Sequence, residues 1–105
     1  MARIRKRYLD IDKLLGIDHN PKKAAKVLPV EEMEERIGQV WREMGFKYFQ
    51  VTMGLDFAHG EAKSLVSFLP PRMKRQAYPY AFKRALSDAT RWLLRVKEEL
   101  EGAFE

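Results

Sequence analysis

At 105 residues, with 46% apolar and 33% charged side chains, the chain is sized for one domain with one core. It has no cysteine, which excludes a disulfide framework, a thiolate nucleophile and a cysteine-based zinc site. No run approaches the ~18 apolar residues of a membrane span, and no apolar stretch follows the basic start, so a cytoplasmic protein without membrane association is expected.

The formal net charge of +5 conceals segregation. Residues 1–28 carry +5, residues 29–69 carry −3, residues 70–97 carry +7, and the last eight residues hold four acids. Separated blocks of this kind create local fields that the total does not reveal.

In chain order, the opening "MARIRKRY" has Arg3, Arg5, Lys6 and Arg7 and only Ile4 to bury, and reads as an extended arm. "DIDKLLGI" predicts a short helix with Asp10 as its cap and Gly16 as its stop. "HNPKKAAKVLP" predicts another, with Asn20 as N-cap and Pro21 in the first helical position. From Val30 to Met44 the apolar residues Val30, Met33, Ile37, Val40, Trp41 and Met44 form a stripe at the 3.6-residue period. Glu31, Glu32, Glu34 and Glu35 load the first turns, where the helix dipole favours negative charge. Gly45 ends the segment, and Phe46 is placed to fold back on its last turn.

"KYFQVTMGLDF" then alternates, with Phe49, Val51, Met53, Leu55 and Phe57 on one side, which predicts a strand. "AHGE" reads as a turn centred on His59-Gly60, and Glu61 to Leu69 as the returning strand. In that register Asp56 opposes Lys63 and Thr52 opposes Ser67. Pro70-Pro71 stops the strand, and a last helix is expected from Pro79 to about Gly102, its stripe made by Phe82, Ala85, Leu86, Ala89, Leu93, Val96 and Leu100. The expected fold class is therefore α+β: an antiparallel hairpin packed on two amphipathic helices. Residues 1–28 form a basic segment of the same domain and residues 29–105 the α-β-β-α core.

A functional signal lies in "PPRMKRQAYPYAFKRAL". Arg72, Lys74, Arg75, Lys83 and Arg84 are interleaved with Tyr78 and Tyr80, and no acid stands among them. Bases at the front of a helix and Glu98, Glu99 and Glu101 at its end oppose the dipole, at ~0.3–1 kcal/mol each, so helix stability is not what they serve. An anion at the helix N-terminus would turn the arrangement to advantage. Nucleic acid is the expected partner, held through phosphates by these cations and Arg91, with Tyr78 and Tyr80 stacking and Arg3, Arg5 and Arg7 as an auxiliary arm.

Two further readings compete with it. A homodimer formed through the hairpin edge or its outer face would relieve the thinness of a two-stranded sheet. Asp56, Glu61 and Lys63 resemble the acid, acid-x-Lys signature of restriction-endonuclease-like nucleases, which implies carboxylates holding a divalent metal and a lysine activating water. The spacing before Glu61 is shorter than in that family, and a turn with an Asp56–Lys63 pair accounts for the same letters. The helix–strand–strand–helix order is also similar in layout to double-stranded-RNA-binding domains, although only two strands are evident and the first long helix is acidic. His19 and His59 are forty residues apart without partners at ligand spacing, so neither a metal nor another cofactor is expected.

Overall fold

The computed structural model describes residues 10–17 and 27–103, with side chains as far as Glu99. The arm with Arg3, Arg5 and Arg7, and the segment after Asn20 as far as Lys26, lie outside the described residues.

Four helices follow one another: α1, Ile11–Leu15; α2, Val30–Glu43; α3, Tyr48–Leu65; and α4, Pro71–Ala103. The first two follow the sequence signals. Asp10 caps α1 by accepting from the Lys13 N–H, and Gly16 leaves it with φ 78°. In α2 the centre of the stripe is fully buried, with Met33, Ile37 and Trp41 at zero exposure, while Val30, Val40 and Met44 are half-buried. Gly45 turns the chain at φ 101°, and the Phe46 N–H returns to the Trp41 carbonyl at 3.0 Å while its ring is buried.

The predicted hairpin is one continuous helix, and there is no strand among the described residues. The α+β class, the cross-strand register and dimerisation through a hairpin edge are thereby corrected, along with the layout shared with double-stranded-RNA-binding domains. The physical reason is a second periodicity hidden beneath the first. Val51, Gly54, Ala58, Ala62 and Val66 fall at the helical period, and all five are buried. They are small, so hydrophobicity alone understates them, yet they let α3 approach its neighbours closely. A Cβ on Gly54 would lie 2.7 Å from Trp41 Cζ3 and 2.8 Å from Leu93 Cδ1. The large residues that suggested a strand point the other way: Phe49 is 59% exposed, Met53 46% and Phe57 37%. His59-Gly60 is helix interior rather than a turn.

The last helix also starts earlier than expected. Pro71, not Pro79, opens it, in the first-turn position that needs no N–H, and the Lys74 N–H bonds to the Pro70 carbonyl at 2.9 Å. Pro79 sits inside and leaves the Arg75 carbonyl without its usual i+4 donor. At ~1.5 Å per residue, thirty-three residues span about 50 Å, and the longest dimension of the molecule is 50 Å. One helix therefore runs its full length.

The α3–α4 pair is the most extensive packing in the fold, with α2 and α1 laid against it. The pair is antiparallel, since Gly54 meets Leu93 while His59, further along α3, meets Phe82, earlier on α4. Between the helices lie Phe82, Ala85, Leu86, Ala89 and Leu93, with Trp41 entering from α2. Its indole N–H donates to Thr90 Oγ1 at 3.0 Å, and that hydroxyl donates to the Leu86 carbonyl at 2.7 Å, so the fully buried polar group has both partners. Arg36 ties α1 to α2 through the Leu15 carbonyl at 2.7 Å. None of the helices is long and apolar enough to cross a membrane among the described residues.

Candidate functional site at the head of the long helix

Because α4 begins at Pro71, the basic residues fall into two groups that sequence could not separate. Arg72, Lys74 and Arg75 occupy its first turns and are exposed, with no ion pair among the described residues. Lys83 and Arg84 lie three turns inside the helix, away from its free N–H groups. Lys83 pairs with Asp12 of α1, and Arg91 with Asp88 at 2.9 Å. Arg84 is exposed beside Glu61, and Tyr80 is 63% exposed. Arg72, Lys74 and Arg75 thus stand together, exposed, at the start of α4; Arg3, Arg5 and Arg7 lie outside the described residues.

A groove of about 600 Å³ opens beside this group, where the first turn of α2, the last of α3 and the start of α4 meet. Lys63, Lys74 and Arg75 stand on it, and no carboxylate lines it. Its other walls are Val30, Val66, Ser67, Tyr78 and Pro79. Lys63 arrives there because α3 is helical: it lies one turn beyond His59, and both turn toward the other helices' head ends.

Tyr78 is held from behind by residues from three helices. The Glu34 carboxylate meets His59 Nε2 at 2.5 Å, and His59 Nδ1 meets the Tyr78 hydroxyl at 2.5 Å. A carboxylate can only accept, so Nε2 carries a proton toward Glu34, and the phenol hydroxyl also lies 3.5 Å from the His59 carbonyl, to which it donates. The Tyr78 and His59 rings are nearly parallel, 15° apart, and Phe82 lies 4.4 Å from the imidazole centroid. Burial and the nearby Glu34 charge push the Tyr78 phenol above its ordinary value, so it stays neutral. Sequence alone does not reveal this chain: Glu34 reads as one of four acids in the first turns of its helix, His59 as a turn residue and Tyr78 as a stacking ring. Three single letters on separate helices leave no local signal.

The nuclease-like trio is not gathered on one face. Seven residues apart, Asp56 and Lys63 share a side of α3, whereas Glu61 turns toward α4. There a hydrogen bond with Asp88, then burial, then the Asp88 charge raise the Glu61 carboxyl to about 7, against a lowering by Arg84. No three His, Asp or Glu side chains are grouped for a metal ion among the described residues.

No known protein family, curated protein or solved structure matches the chain. What the site can do follows from its own chemistry: exposed cations at an open helix N-terminus, an acid-free groove, and a tyrosine locked in its wall.

Proposed function

We propose that the protein binds nucleic acid without catalysing a reaction on it, holding phosphates on Arg72, Lys74, Arg75 and Lys63 at the head of α4. The observation that carries the reading is the difference between these cations and Lys83 and Arg91. Those around the groove have no carboxylate partner among the described residues, while Lys83 and Arg91 are already matched by Asp12 and Asp88. Free α4 N–H groups and the helix dipole add to the attraction for phosphate. Arg84 and Tyr80, both exposed on α4, extend the same surface.

The test compares two sets of changes in binding to a labelled oligonucleotide at low salt. Arg72→Gln/Lys74→Gln/Arg75→Gln should lose most of the affinity, at about 1.5–3 kcal/mol for each charged hydrogen bond removed. Lys83→Gln/Arg91→Gln should lose little. Equal losses, or no binding by the unaltered protein, would refute the assignment.

A homodimer is the second reading, favoured by the exposed stripe Phe49, Met53 and Phe57 on α3, where Phe57 stacks on Trp92 at 5.1 Å. It predicts a concentration-dependent mass in sedimentation that Met53→Glu abolishes.

A further inference from the structure

We infer that the groove admits unpaired bases, so that the preferred nucleic acid is single-stranded. This rests on the proposed function and deepens it. Lys63, Lys74 and Arg75 ring a recess whose remaining walls are chiefly apolar, including Val30, Val66 and Pro79. Its volume of about 600 Å³ falls among the ~300–1,000 Å³ typical of sites for small organic molecules, enough for a base or two. Bases in a duplex are stacked and paired, and cannot enter such a recess. Those of a single strand can turn inward while their phosphates stay on the rim, which satisfies the apolar and the cationic features together.

Tyr78 supports the same occupant. Its hydroxyl is tied to His59, which is tied to Glu34, and its ring rests beside Phe82 at 6.3 Å between centroids. A ring already fixed in the wall of the recess needs little further ordering to accept a stacked base. An acidic polypeptide without aromatic side chains would satisfy the cations but offer no flat ring to the walls.

The experiment measures anisotropy of labelled strands of about twelve nucleotides, within the ~4–16 nucleotide span of common single-strand sites. Single-stranded DNA, single-stranded RNA, duplex DNA and an abasic DNA strand are compared, with polyglutamate as competitor. The single strands should bind at least ~5-fold more tightly than the abasic strand, the lower end of what one stacked base contributes. They should also exceed the duplex, and polyglutamate should compete poorly. The tighter of DNA and RNA identifies the sugar, and either supports the inference. Ser67→Leu adds bulk to the recess without changing charge or supplying a ring; it should bring the intact strand down toward the affinity of the abasic one. Equal binding of intact, abasic and duplex DNA would overturn base insertion while leaving phosphate binding in place. Effective competition by polyglutamate would likewise overturn it, in favour of an acidic protein partner. Absence of binding to every strand would remove the proposed function as well.

Discussion

Two glycines in α3 should respond to the same substitution with opposite signs. Alanine is favoured over glycine in a helix interior by ~0.8–1 kcal/mol. At Gly60 a Cβ would meet nothing within 4 Å, so Gly60→Ala should collect that gain in full. At Gly54 the added carbon would lie 2.7 Å from the Trp41 ring and 2.8 Å from Leu93, both in the core. Overpacking of this kind costs ~1–3 kcal/mol, which exceeds the helical gain over most of its range. Gly54→Ala should therefore destabilise by up to about 2 kcal/mol. With ~4–8 °C of melting temperature per kcal/mol for a domain near this size, Gly60→Ala should melt about 3–8 °C higher and Gly54→Ala several degrees lower. Urea unfolding followed by circular dichroism measures both. A hairpin turn at His59-Gly60 would need glycine's conformational freedom, and alanine there would cost stability. Loss of stability in Gly60→Ala would therefore refute the helical account of residues 48–65.

Other consequences are as definite. Thr90→Val keeps the side-chain shape but strands the buried Trp41 N–H, and should cost ~1–3 kcal/mol in urea unfolding; an unchanged midpoint would contradict the bond. Glu61 is raised in the folded state from 4.5 to about 7, so the folded protein holds a proton there that the unfolded chain releases. Stability from this group is present below pH 4.5 and is lost as pH rises through 7. Glu61→Gln should flatten that decline and leave the protein more stable than its parent above pH 7; a steeper decline in the variant would refute the coupling to Asp88. Tyr78→Phe removes the phenol from the Glu34–His59 chain and should cost roughly 1 kcal/mol, while Phe at a position without this bond would cost little.

The parts of the fold legible in sequence were those where large apolar residues themselves make the contact. Met33, Ile37 and Trp41 are a helical stripe and a buried one, and the signals at Asp10, Gly16 and Gly45 all reflect real caps or turns. Residues 48–65 were misread because Phe49, Met53 and Phe57 dominate any reading of hydrophobicity, although the contact face is the quiet series Val51, Gly54, Ala58, Ala62. Period two and period 3.6 coexist there, and the deciding fact is how near Trp41 and Leu93 come, which is tertiary. Pro79 misled for a related reason: a proline often opens a helix, but Pro71 had already done so. Of the candidate site, the clustering of Arg72, Lys74 and Arg75 ahead of Tyr78 was legible. The Lys83–Asp12 bridge, the groove and the Glu34–His59–Tyr78 chain were not, since each joins different helices.

The salt dependence of strand binding tests the cationic head of α4 most directly. The logarithm of the binding constant is measured against the logarithm of salt concentration for the parent and for Arg72→Gln/Lys74→Gln/Arg75→Gln. At ~0.7 per neutralised phosphate on a single strand, loss of three contacts should make the slope shallower by about 2. A slope that is unchanged in the variant would show that the phosphates lie elsewhere on the protein.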